Sequence, residues 1–382
     1  MRIPRNLMIK RLQETLWVAY ILLYPLYLLP SGLPQVADWL FGVLAMVTTL
    51  TGLTLTPSQK QVMMAVVMFA SYITVVNCSW ALVLNSTSML VSSLYYIYNA
   101  IVIIVTMSLA SRLGAKFWAL SLWALILSIL WQIVVVLFAG AGLGSIRVTG
   151  TFNNPNQLGY FALLSVSIIG LIGARIGISG LKGAVGVIGA AVLAAASLSK
   201  AAILSMAIGL ILKLKNQARL VLPMITILVV LLFYGDDSVL VQGVAMRIAG
   251  IGAQTDDTLA GRGYDRILLY PEYWIFGAGE GEYHRFDKSG LQAELHSSLG
   301  NVFFSYGAFG LVLFCCVLYL VVRTAPWHGV AALVPLLLYG LTHQGLRASL
   351  FWVVLGLTAS LGNGVISTSV TRKASATHQI SV

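Results

Sequence analysis

Apolar residues run along most of the chain in stretches of mostly about 17–25, at roughly 14–30, 36–54, 61–82, 88–110, 116–139, 157–174, 183–199, 200–213, 219–234, 297–322, 328–344 and 347–365. A helix of that length crosses roughly 30 Å of hydrocarbon at 1.5 Å per residue. The pattern predicts an all-α membrane protein of about 12 transmembrane helices, with residues 1–366 forming a single polytopic transmembrane domain and 367–382 a cytoplasmic tail. Only Ser199-Lys200 separates the seventh run from the eighth, and the Ala and Gly content on either side also suits one long tilted helix or a re-entrant pair.

Polar positions fall in short connections except at 235–296, a large loop predicted to be extracytoplasmic and to contain short amphipathic helices. Val239–Ile251 patterns as a helix lying on the membrane with Arg247 on its polar side. Asp265–Ile275 reads as a second short helix until Pro271 interrupts it, and Gly277-Ala-Gly-Glu-Gly281 as a tight turn.

Composition agrees with the pattern. Hydrophobic residues make up 59% of the chain and charged residues only 9%, against about 25% charged in an average soluble domain. The net charge of +11 resides in the short connections rather than on one polar face, so nucleic acid is excluded as a partner. Arg2, Arg5, Lys10 and Arg11 precede a first span with no small-residue cleavage site after it, so that helix is expected to be retained with its N-terminus in the cytosol. Threading the spans from there places fifteen of twenty-three Lys and Arg inside, beside one acid, Glu14. Cys78, Cys315 and Cys316 lie inside spans without metal-ligand spacing, and no metal is expected.

Eight cations remain outside: Arg147, Lys200, Arg247, Arg262, Arg266, Arg285, Lys288 and Arg347. Ten of the twelve carboxylates share the large loop, so the loop cations either pair with them or hold an anion. Arg147-Val-Thr-Gly-Thr-Phe-Asn-Asn-Pro-Asn-Gln-Leu-Gly159 leads into the sixth span, and Asn153, Asn154 and Asn156 around Pro155 form a rigid turn. A helix N-terminus beside an arginine suits an anion; a capped helix start with an arginine at the headgroups is the plainer alternative. At Ser197-Leu-Ser-Lys200 an ammonium either holds an anion or snorkels to the interface. Arg262 and Arg266 lie four apart on one predicted helix face, where they repel unless something negative intervenes; Asp265 relieves part of this and a diphosphate would suit both. Glu294-Leu-His296 places an imidazole at the water-facing start of the tenth span, and His343-Gln-Gly-Leu-Arg347 adds a second imidazole and a guanidinium at the same level. Tyr264, Tyr270, Tyr273, Trp274, Tyr283 and Phe286 crowd the loop, to stack on sugar rings or to anchor it.

Taken together, these stretches resemble the O-antigen ligase and O-antigen polymerase superfamily of bacterial membrane glycosyltransferases. The resemblance is carried by Gly150-Thr-Phe-Asn-Asn-Pro-Asn-Gln-Leu-Gly159, Ser199-Lys200, Arg266 through Pro271 to Gly277-Ala-Gly279, and His296-Ser-Ser-Leu with Tyr306-Gly-Ala-Phe-Gly310. Lysine stands at 200 where the family usually has arginine, and serine at 297 where it has asparagine. The resemblance implies a cofactor-free, metal-independent enzyme of the inner membrane, with both termini cytoplasmic and a periplasmic active site. It would transfer a glycan from undecaprenyl diphosphate to a sugar hydroxyl. Arg147, Lys200, Arg262 and Arg266 would clamp the diphosphate, assisted by Asn153 and Asn156, and His296 would be the general base with Glu294 as the alternative. A polymerase uses another lipid-linked repeat as acceptor and a ligase uses lipid A-core; His343 and Arg347, as a site for a second lipid diphosphate, favour the polymerase. A chain-length regulator is a candidate partner. The rival of another class is a secondary transporter, since Pro25, Pro223 and Pro335 interrupt spans. With Glu14 and Asp38 at span ends and no carboxylate in mid-span, its ion relay has no carrier.

Overall fold

Several helices begin where the sequence supplies a cap. Thr56 accepts from the Gln59 N–H while the Gln59 side chain accepts from the Thr56 N–H at 2.9 Å, with Pro57 in the first helical position. Asn154 caps the helix that Pro155 opens, and Ser297 accepts from the Gly300 N–H at 3.0 Å. The structure, a computed structural model, describes residues 5–139, 147–178, 180–213, 261–289, 291, 293–323 and 325–362. Its helices are α1 (Arg5–Leu23), α2 (Val36–Leu50), α3 (Pro57–Leu84), α4 (Ser88–Leu113), α5 (Ala115–Ala139), α6 (Pro155–Ile176), α7 (Gly180–Ser197), α8 (Lys200–Lys213), the single-turn α9 (Asp265–Leu269), α10 (Ser298–Val322), α11 (Trp327–Tyr339) and α12 (Ser349–Leu361). No strand occurs among the described residues, and the chain is an all-α, multi-pass membrane protein.

Eleven of the twelve predicted runs coincide with a helix; the run at 219–234, the stretch Val239–Ile251 with Arg247, and the tail lie outside the described residues. Six helices, α3 to α7 and α10, are long and apolar enough to cross a membrane, whereas α2, α8, α11 and α12 are apolar but shorter. The first run, expected at 14–30, ends as a helix at Leu23, because Pro25 disfavours the helical conformation of Tyr24 and cannot continue the ladder. The seventh and eighth runs are two helices rather than one: Leu198 takes a φ of 48° between them.

Every residue of α12 is buried, and α6 is nearly so. These two form the centre, with α4 and α6 against α12 and α7, α8, α11 and α5 around α6. Close approach comes from small residues: Gly186 and Gly189 of α7 face Ile169, Ile126 and Ile129, and Gly356 of α12 faces Thr106 and Ile103 of α4. Polar side chains stitch distant helices, Trp17 to Ser121 at 2.8 Å, Tyr20 to Ser349 at 2.9 Å and Gln59 to Ser360 at 3.1 Å. Such bonds contribute about 0.6 kcal/mol each on average inside a bilayer. Arg112, Lys116, Arg175 and Arg323 all lie at one end of the bundle, where Lys116 pairs with Glu14 at 2.6 Å and Arg175 donates to Leu361 O at 3.2 Å.

Two irregular stretches shape the opposite end. α10 breaks at Gly307, whose φ of 64° and ψ of −170° are non-helical. The break frees backbone groups, and the loop takes them up: Ala278 and Gly279 donate to Phe304 O and Ser305 O at 3.0 and 2.8 Å, and Ala308 donates to Trp274 O at 2.7 Å. The other stretch is 340–348, between α11 and α12, where the sequence pattern left only two residues to connect spans. Its backbone is satisfied from elsewhere: Leu346 O accepts from Asn99 at 3.1 Å and Trp352 at 2.7 Å, and Ser298 binds both Gly340 O and the Gly345 N–H.

Gly277→Ala is expected to remove most folded protein, because a Cβ there would fall inside the Ser305 carbonyl and Tyr306 Cα and its φ is 89°; overpacking and left-handed strain together cost about 3 kcal/mol or more. Gly42→Ala in α2 meets open space and should leave the elution profile and melting temperature in detergent unchanged or raised.

Candidate functional site

The start of α6 supplies the first half of the site. Arg147 reaches across the asparagine turn, Nη2 donating to Asn156 Oδ1 at 2.7 Å and Nε to Ser197 O at 3.2 Å. The Tyr339 hydroxyl donates to Asn156 O at 3.1 Å, and its ring is stacked between Tyr160 at 4.3 Å and His343 at 4.7 Å. Arg262 Nη1 donates to Thr342 O, and the His296 N–H to Arg262 O at 3.0 Å. The fold thus gathers Arg147, Asn156, Arg262, His296 and His343 from four separate segments. Burial first, then the charges of Arg262, His296 and Arg147, hold the His343 imidazole down to about 4. It is therefore a neutral, stacked ring at neutral pH. His296 is exposed above this group.

Other expected members sit beside it. Lys200 opens α8 three residues beyond Ser197, the carbonyl that holds Arg147. Asn153 faces away, donating to Leu29 O at 3.0 Å and Ser31 at 3.2 Å, and so ties the turn to the α1–α2 connection. Ser297, where the resembled family has asparagine, accepts from the Tyr264 hydroxyl at 2.7 Å while capping α10, a task either residue type performs.

Arg347 is placed apart from His343. Its Nη2 meets Glu280 Oε1 at 2.5 Å and its Nη1 meets Glu294 Oε2 at 2.9 Å, so it lies between two carboxylates, with Tyr95 under its guanidinium. Glu280 is fully buried, its Oε2 accepts from the Tyr306 hydroxyl at 2.8 Å, and its N–H donates to Asn77 Oδ1 at 3.0 Å. The second anion site expected from His343 and Arg347 is not brought together: one side chain is neutral and the other is claimed by carboxylates. Burial, opposed by Arg347 and reinforced by Glu280, pushes Glu294 up to about 7.

Arg262 and Arg266 also part company, because residues 261–264 are a turn and not the predicted helix face. Arg266 is fully buried, donating to Leu291 O and to Ala293 O at 3.0 Å, and packs on Phe286, Tyr283 and Phe304. Arg285 takes the same kind of place on Trp80 and Phe286 and donates to Ala278 O and Gly279 O. Burial lowers both. In this environment their guanidinium groups hold loop carbonyls.

In the sequence Glu280 belongs to a glycine turn, Tyr306 and Gln344 fall within stretches singled out for other residues, and Asn77 carries no signal of its own. The one available hint was an acid between glycines in a chain with few carboxylates. No model of a known protein family matches this chain, and no curated protein matches it.

Arg266→Ala should lower the melting temperature and folded yield, with a cost of about 3 kcal/mol for a truncated, fully buried side chain. Arg262→Ala, on a half-buried residue, should cost less than about 1 kcal/mol in the same detergent melt.

Proposed function

We propose that the chain is a membrane glycosyltransferase that moves a glycan from undecaprenyl diphosphate to a sugar hydroxyl, as an O-antigen or exopolysaccharide polymerase whose acceptor is another lipid-linked repeat. The observation that supports it is the gathering of Arg147, Asn156 and Arg262 around the start of α6, beneath an exposed His296. Guanidinium groups, an amide and a helix N-terminus suit a diphosphate, which takes up negative charge on its bridging oxygen as the glycosyl bond breaks. His296 would take the proton of the attacking hydroxyl. In this reading the site end faces the periplasm, the termini lie in the cytoplasm of a bacterium and the chain crosses its inner membrane about 12 times. A ligase, with lipid A-core as acceptor, uses the same donor machinery.

One observation favours a second reading. Glu280 and Glu294 meet Arg347 inside the helix bundle, so a proton-coupled transporter has the carboxylates that the spans themselves lack.

Purified protein given undecaprenyl diphosphate-linked oligosaccharide should yield a ladder of lengths, and a single addition to lipid A-core if it is a ligase. No product in either assay, with substrate-dependent proton flux in liposomes, would replace the transferase by the transporter. His296→Ala should lower the transfer rate by about 10²–10⁴-fold. Arg147→Lys should lower it about tenfold, the loss of one charged hydrogen bond, and Lys200→Arg much less; equal, negligible effects would remove the diphosphate site.

A further inference from the structure

Charge balance sets Arg347 apart from the rest of the molecule. One guanidinium, its side chain 29% exposed, faces two carboxylates, Glu280 at 0% and Glu294 at 22%. Among the described residues, the side chains around them are uncharged: Asn77 from α3, Tyr95 and Tyr96 from α4, Tyr306 from α10, Tyr283 from the loop and Gln344 beside Arg347. Burial and the two carboxylates keep the Tyr283 phenol protonated. The group therefore carries one negative charge too many for a buried place, and a proton is the simplest compensation.

The two carboxylates are not equivalent. Both oxygens of Glu280 are bonded, one to Arg347 and one to the Tyr306 hydroxyl, and its backbone is fixed by Asn77. Glu294 has one oxygen on Arg347, while Oε1 is buried without a hydrogen-bond partner, as are Gln344 Nε2 and Arg347 Nε nearby. A protonated carboxyl tolerates such a place far better than a carboxylate.

We propose that Glu280, Arg347 and Glu294 form a buried proton-binding site in which Glu294 takes up the proton and Glu280 supplies the fixed charge that holds Arg347. The proposal does not depend on the transferase reading, and it names the proton site that the transport reading would use. Its consequence for stability follows from the folded group ionising at about 7 and the unfolded one at its ordinary 4.5. The folded chain holds the proton where the unfolded chain has lost it, so this contribution is full below the lower value and is lost as pH rises to the upper one.

The test is infrared difference spectroscopy of the full chain in nanodiscs, following the carboxylic C=O stretch as pH is raised. One carboxyl should disappear with a midpoint at about pH 7. In Glu294→Gln that transition should be absent, and the fall in melting temperature between acid and neutral pH should flatten. Glu280→Gln leaves Arg347 to Glu294 alone and should move the midpoint down by about one unit or more. Should that variant fail to fold, Gln344→Leu removes the amide beside Glu294 that favours its ionised form and should move the midpoint up. Persistence of the transition in Glu294→Gln, or an unmoved midpoint in whichever of the other two variants folds, overturns the proposal.

Discussion

The structure turns on an exchange of backbone hydrogen bonds between a broken helix and a loop. Gly307 interrupts α10 ten residues after Ser297, and groups that would have bonded along the helix are left open. In hydrocarbon each such group costs several kcal/mol, so the break survives only where protein answers it. Residues 274–279 do so, and positive φ at Gly277 and Gly279 lets their backbone lie against the helix. Tyr72 and Trp80 of α3 close the contact by donating to Phe276 O and Gly277 O at 3.0 and 3.1 Å.

From that exchange the loop's location follows. Glu280 comes directly after the paired glycines and is carried to Asn77, which lies seven residues, about 10 Å, inside the end of α3. A carboxylate that the sequence assigns to an outside loop thus enters the bundle. The described part of the loop is held down, with Arg266 and Arg285 on the aromatic rings gripping its carbonyls from within.

The stretch 340–348 works in the complementary way. Because it is unwound, one short segment reaches two neighbourhoods: His343 stacks toward Arg147 and Arg262, and Arg347 turns to Glu280 and Glu294. The same field explains their different states. Burial first, then the surrounding cations, keep His343 neutral, whereas the surrounding acids raise Arg347 against its burial and burial raises Glu294. Ser298, bonded to both ends of this stretch, fixes it against the start of α10, next to His296.

The sequence by itself determined the class of protein and the position of nearly every helix, since apolar run length and capping residues act locally: Thr56, Asn154 and Ser297 mark their helix starts without help from the rest of the chain. It also marked the Gly277–Gly281 turn and a set of stranded cations and histidines, of which the structure brings Arg147, Arg262, His296 and His343 together while Arg266 and Arg347 find partners elsewhere. What it left open depends on which distant group lies opposite. Arg262 and Arg266 look alike at four-residue spacing, yet one binds the α11 end and the other vanishes among Phe286, Tyr283 and Phe304. Glu280 and Arg347 are 67 residues apart, and only packing of the loop into the break at Gly307 makes them partners. Charge pairing in a low-dielectric interior is a property of distance between folded segments, and the sequence carries no record of that distance.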